Sequence, residues 1–114
     1  ALTEDDARLI YRRDYWEACR CDLLPAPLDW LVFDAAVNQG VQAAGKMLQG
    51  AVGVAVDGKI GPATVAAAKH ADAEAPARFM TLRAMRYADT PGWARYGAGW
   101  MKRLFITMQE ALRG

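Results

Sequence analysis

Apolar positions along the chain recur mostly at helical spacing. Thr3-Glu4-Asp5-Asp6 reads as a variant capping box, with Thr3 as N-cap and acids in the first turn. The helix it opens is expected to run to about Ala18, with Leu9, Ile10, Tyr15 and Trp16 on its apolar side. The Pro25-Ala26-Pro27 stretch breaks the chain, and Pro27 suits the first turn of a new helix over about 27–39. There Leu28, Trp30, Leu31, Val32, Phe33, Ala35, Ala36 and Val37 point all round. A helix apolar on every side belongs in the middle of a fold. Gly40 would end or kink it, and a further helical piece over about 41–50 carries Ala43, Ala44, Met47 and Leu48.

The period then changes. Residues 52–60 alternate like a small hairpin with an Asp57-Gly58 turn. Pro62 opens an alanine-rich helix to about Ala71. Next comes a helix over 74–88, with Phe79, Leu82 and Met85 predicted in the core. Thr90-Pro91-Gly92 reads as a loop. The last helix is expected over about 98–112, with Met101, Leu104, Phe105, Met108 and Leu112 as its buried stripe. The fold class that follows is mainly α, with about six helices and at most one tiny hairpin.

At 114 residues, 54% of them apolar and 24% charged, the chain has the size and composition of a single domain. Disordered and low-complexity classes are excluded on composition, and no apolar run is long enough for a membrane span. The chain opens on Ala1 and almost at once on a helix start, which reads as a fragment or processed product. Charge is balanced overall at +1 but unevenly spread. Residues 1–34 carry eight acids against four arginines, whereas 78–114 carry seven bases against Asp89 and Glu110. Either the basic part meets an anionic partner or the two ends face each other in the fold. The bases are dispersed over several elements with no helix-turn-helix signal, which argues against nucleic acid. Cys19 and Cys21 are too close in sequence for an easy disulfide and are expected on different helix faces as free thiols. With His70 as the single histidine, no zinc ligand set exists. No metal or other cofactor is expected, and His70 reads as a surface or capping residue.

Candidate chemistry centres on Asp34 and Asn38, four apart on one face of the apolar helix. An acid and an amide there must be hydrogen-bonded or face a polar cleft. They form either a cleft floor or a structural pair. Trp93, Tyr96 and Trp100 lie near glycines and could form a platform for sugar rings or close the core. Arg103, three residues after Trp100, could pair with a carboxylate in a cleft. The Asp57–Pro62 segment is neither a calcium loop nor a P-loop.

Leu48-Gln49, Gly53, Asp57-Gly58, Ile60-Gly61-Pro62, Thr64 and Ala67 resemble the predicted peptidoglycan-binding domains of bacterial cell-wall enzymes. Ile10-Tyr11, Tyr15-Trp16, Leu24-Pro25, Leu28-Asp29, the run Val32–Gly40, and Gly99-Trp100 with Arg103 resemble glycoside hydrolase family 108, the lysozyme-like N-acetylmuramidases of phages and secretion-associated gene clusters. The likeness covers nearly the whole chain in order. It implies one domain, in which 1–40 complete a lysozyme-like core and 41–114 form the peptidoglycan-binding region. It implies saccharide contacts at Asp34, Asn38, Gln39, Gly40, Tyr96, Trp100 and Arg103, and a binding motif at Asp57, Gly58, Ile60, Gly61, Pro62 and Thr64. The partner implied is the glycan strand of peptidoglycan, at the bacterial cell envelope. The family's catalytic glutamate sits in a Glu-Gly-Gly motif, and none of Glu4, Glu17, Glu74 and Glu110 is followed by glycine. The acid is therefore expected upstream of Ala1, leaving these residues inactive alone, with an exposed apolar patch and a tendency to self-associate. The alternative is a peptidoglycan-binding module without catalysis.

Overall fold

The structure, a computed structural model, describes residues 3–113. Six α-helices follow one another: α1 (Glu4–Tyr11), α2 (Leu28–Gln39), α3 (Val41–Val52), α4 (Pro62–Lys69), α5 (Ala75–Ala88) and α6 (Trp93–Arg113). The capping box at the first helix forms as read. Thr3 Oγ1 accepts from the Asp6 N–H at 3.1 Å, and Asp6 accepts from the Thr3 N–H. Helical backbone continues past α1 as a π-helical turn over Arg12–Glu17, so the single helix expected to Ala18 is interrupted in its winding.

Helix α2 is the centre of the fold and packs against α3, α5 and α6. Leu28, Leu31, Val32, Ala35 and Ala36 are buried, and with Leu48 and Phe79 they form the middle of the core. Each such large side chain removed from water contributes about 1.5–3 kcal/mol before entropy is counted. Gly40, at φ +97°, turns the chain directly from α2 into α3. A side chain is strained at that backbone angle, which explains the glycine.

Four expectations are corrected. First, no strand forms among the described residues, and 53–61 is an irregular loop. Its backbone N–H groups at Asp57 and Gly58 donate to the Gln49 side chain instead of a ladder. Second, α5 turns a different face inward: Phe79 is buried and Leu82 half-buried, but Met85 is 58% exposed while Arg83 is fully enclosed. Third, α6 begins at Trp93 and not near residue 98, so Trp93 and Tyr96 are helical. Its buried line is Gly97, Leu104, Thr107 and Ala111. Small residues in that line let α6 approach its neighbours closely, and Phe105 and Leu112 are left 66% and 67% exposed. Fourth, Cys19 and Cys21 are free thiols as expected, but they lie outside the α-helices, both buried around the left-handed residue Arg20. A thiol hydrogen bond with Cys19, and then burial, push the Cys21 pKa up. Both behave as small core residues.

Candidate functional site

Asp34 lies midway along α2 and gathers side chains from two other helices. Its Oδ2 accepts from Arg83 Nη1 on α5 at 2.7 Å and from Thr107 Oγ1 on α6 at 3.3 Å. Its Oδ1 accepts from Arg103 Nη2 on α6 at 3.1 Å. Arg83 also donates through Nε to Gln39 Oε1 at 2.7 Å, which ties the end of α2 to α5. The Arg83 guanidinium lies 5.9 Å from the centroid of the Tyr87 ring, and its Nη2 has no hydrogen-bond partner among the described residues. A fully buried arginine next to a nearly buried carboxylate persists because their attraction and hydrogen bonds offset the desolvation cost of each. Asp34 therefore has two charge-assisted partners of different kinds: Arg83 is locked in the core, and Arg103 reaches solvent.

Beside this cluster a cleft of about 300 Å³ opens between α2 and α6, lined by Asp34, Gly99, Lys102, Arg103, Ile106, Thr107 and Glu110. Gly99 leaves the upper wall open, since a Cβ there would meet nothing within 4 Å. Glu110 also borders a second hollow of about 280 Å³, with Trp16, Ala26, Asp29, Trp30 and Ala111. Glu110 thus borders both hollows. In the second, Trp16 is fixed by its Nε1–H donating to Asp22 at 2.7 Å and by an edge contact with Phe33, centroids 5.4 Å apart. Trp30 lies 5.6 Å from the same ring and is 38% exposed. The first hollow sets Lys102 and Arg103 beside Asp34 and Glu110, and the second sets Trp16 and Trp30 beside Asp29 and Glu110. Aromatic faces next to charged groups can grip hydroxyl-rich rings by stacking and hydrogen bonding.

The residues read from sequence fall into three groups. Asp34, Gln39 and Arg103 come together as one network. Asn38 turns back on its own helix, donating to the Asp34 backbone carbonyl at 2.8 Å, and Gly40 is the turn into α3. Tyr96 and Trp100 sit one or two turns before Arg103 in an aromatic group. Trp100 stacks on Tyr87 at 5.2 Å and lies 6.1 Å from Tyr96 and 6.2 Å from Trp93. Gly97 makes room for that group, because a Cβ there would come within 2.8 Å of the Trp93 ring.

The Asp57–Thr64 motif is organised by Gln49, which is 1% exposed. Its Nε2 donates to Asp57 Oδ1 at 2.8 Å, the Lys59 carbonyl at 2.9 Å and Thr64 Oγ1 at 3.2 Å. Its Oε1 accepts from the N–H groups of Asp57 at 3.0 Å and Gly58 at 2.8 Å. Gly45 on α3 allows the loop to close, since a Cβ there would lie 2.5 Å from the Gly58 carbonyl oxygen. Ile60 is buried, and Gly61 and Pro62 start α4.

Sequence reasoning missed Arg83, Thr107, Trp16 and Trp30 as site residues, and Gln49 as the organiser of the loop. Arg83 is flanked by Leu82, Ala84 and Arg86, and nothing local separates it from a solvated position. Gln49 left a signal: a carboxamide inside the otherwise buried line Met47, Leu48 and Ala51 needs partners.

The model for the predicted peptidoglycan domain matches residues 43–105, and that for glycosyl hydrolase 108 matches residues 1–40. The chain belongs to the predicted peptidoglycan domain family. A solved structure, Brucella abortus SagA, superposes with a TM-score of 0.92 at 35% identity over 99% of this chain. The chain spans 66% of SagA's length. Among curated proteins no match is found. The two matched segments meet at the α2–α3 turn, and the Asp34 network joins them: Asp34 and Gln39 come from the first, Arg83 and Arg103 from the second. No helix of the described residues is long and apolar enough to cross a membrane.

Proposed function

We propose that the chain is the substrate-binding portion of a peptidoglycan N-acetylmuramidase acting at the bacterial cell wall. The observation that carries this reading is the Asp34–Arg83–Arg103 network at the floor of the α2–α6 cleft, in a chain of the peptidoglycan domain family. Glycoside hydrolysis needs a proton donor on the leaving oxygen and a second group that serves the attacking water or forms the glycosyl link. Asp34 is committed to two guanidinium groups, so its part is to hold Arg103 and the cleft wall in place for the sugar. Trp30 and Trp16 supply the stacking face further along. Tyr96 and Trp100 support the strand beyond Arg103, and Asn38 and Gly40 fix the α2–α3 turn. The 57–64 motif takes part by fixing, through its clamp on Gln49, where α4 begins. By the resemblance to glycoside hydrolase family 108, the proton donor is a glutamate outside these 114 residues. The solvent-exposed Phe105 and Leu112 favour self-association of the isolated chain, which sedimentation at increasing concentration would reveal.

A second reading, binding without cleavage, draws on the match of the predicted peptidoglycan domain to residues 43–105. The test uses purified sacculi. The 114-residue chain should sediment with them, and Arg103→Ala and Trp30→Ala should each weaken that binding. A longer form carrying the native upstream residues should release muropeptides with muramic-acid reducing ends, identified by mass spectrometry. Binding without release by the longer form would leave the second reading. Loss of sacculus binding altogether would overturn both.

A further inference from the structure

Away from the cleft, a hollow of about 320 Å³ is lined by Arg20, Leu23, Pro62, Val65, Ala66, Lys69 and His70. It lies where the two family-matched segments meet a second time, with Arg20 and Leu23 from the first and α4 from the second. Pro62, Val65, Ala66 and Lys69 follow helical spacing on one face of α4, so that face is the wall. The floor is apolar: Val65 is buried, and Leu23 stands 46% exposed. Three nitrogen-bearing side chains stand at the rim. Neither Arg20 nor Lys69 has an ion-pair partner among the described residues. No carboxylate lines the hollow. Arg20 is fixed at φ 54°, ψ 39°, the left-handed region.

We propose that this hollow is a second binding site, for the C-terminal carboxylate of a short peptide with small apolar side chains, of the kind peptidoglycan stems present. Arg20 and Lys69 take the carboxylate by charge-assisted hydrogen bonds, and His70 adds a donor. The Leu23–Val65–Ala66 floor takes a methyl-sized side chain. Charge complementarity selects an anion, and the apolar floor distinguishes a peptide end from inorganic phosphate. The Gln49-clamped loop acquires a role here, since it fixes where α4 begins and so where Pro62 and the wall stand. The identity of the ligand rests on the peptidoglycan reading above; the site itself rests on the hollow and its charges.

The test is a titration of the 15N-labelled chain with diacetyl-L-lysyl-D-alanyl-D-alanine, followed by amide shifts. Shifts are expected at Leu23, Ala66, Lys69 and His70. The same tripeptide with a C-terminal carboxamide should bind about tenfold more weakly. Lys69→Glu should weaken the acid form by a similar factor, and so should Arg20→Gly, which keeps the left-handed backbone available. Equal binding of acid and carboxamide, shifts confined to the Asp34–Arg103 cleft, or no shifts at all would each overturn the proposal. Glycan strands stripped of peptides separate this result from the main reading: Lys69→Glu should bind them like the wild type. If the wild type ignores such strands but takes the tripeptide, the muramidase reading fails and the carboxylate site stands.

Discussion

Asp34 and Gln49 are two polar hubs on neighbouring buried helices, and they are built in opposite ways. Gln49 is neutral, and its partners at 57–64 lie within fifteen residues of it along the chain. Its carboxamide is engaged on both sides, and no surface is left over. Asp34 is charged, and its partners lie 49 and 69 residues away, on α5 and α6. One of them, Arg103, stays half in solvent at a cleft, and another, Arg83, keeps a nitrogen unbonded. A closed, satisfied knot fixes a backbone path. A charged hub with reach left over at its edge can meet something else. The contrast assigns shaping to the first and recognition to the second.

The strongest way to break that contrast is at its charged side. Asp34→Ala leaves the Arg83 guanidinium buried without a counterion, and unpaired buried charge costs about 3–5 kcal/mol. Urea unfolding should show that loss as a lowered midpoint for the whole domain, since α2, α5 and α6 all lose a tie. A loss under 1 kcal/mol would mean that Arg83 finds water, and that the hub is not a structural keystone. Gln49→Ala should come next, at about 2–3 kcal/mol, because the buried donors and acceptors of one loop lose their partner. Here the effect should be local. Hydrogen exchange should quicken at Gly58 and Lys59 while amides of α2 keep their protection. Equal exposure of α2 would contradict the view of the knot as a self-contained unit.

How much of this was legible beforehand follows the same divide. The apolar run of α2 announced a central helix because no face of it could be left in water. An acid on such a helix announced a partner, and Arg103 was within reach of that argument through its own helical spacing. Arg83 was not, because an arginine among Leu82, Ala84 and Arg86 has no local mark of burial, and its partners are far along the chain. The 52–60 alternation misled for a related reason. Period-two apolar residues describe an extended chain, but a strand needs a ladder, and here the backbone donors of Asp57 and Gly58 go to a side chain. On α6 the apolar stripe was real in sequence but not buried throughout. Close approach favoured the small residues Gly97, Thr107 and Ala111 and left Phe105 and Leu112 outside.

Arg103 sharpens the comparison from the other side. Its side chain is 49% exposed, so Arg103→Ala should cost stability only on the scale of an exposed pair, under about 1 kcal/mol. Its loss from sacculus binding should be larger, about tenfold, if it contacts the ligand by a charge-assisted bond. Arg103→Lys keeps charge but not the planar fork, and should restore binding only in part. A variant that unfolds more easily yet binds normally would place Arg103 with the scaffold.

The smallest effect expected is also the most specific to the closed knot. The Lys59 N–H, and after it the Gln49 amide, hold the Asp57 carboxyl below its ordinary pKa of 3.8. A carboxyl depressed on folding adds stability above its unfolded pKa and gives it up as pH falls through the folded value. The difference in urea midpoint between wild type and Asp57→Asn should therefore be constant well above the ordinary carboxyl pKa, from about pH 5 upward, and narrow as pH falls below it. Asp6 and Asp72 are depressed as well, by the Thr3 cap and by Arg78, but both proteins carry them and they cancel in the difference. A difference independent of pH would mean that Asp57 acts through shape and hydrogen bonding alone. The charge of Asp57 would then add nothing to the stability of the knot, and Asp34 would hold the structurally important charge of the pair.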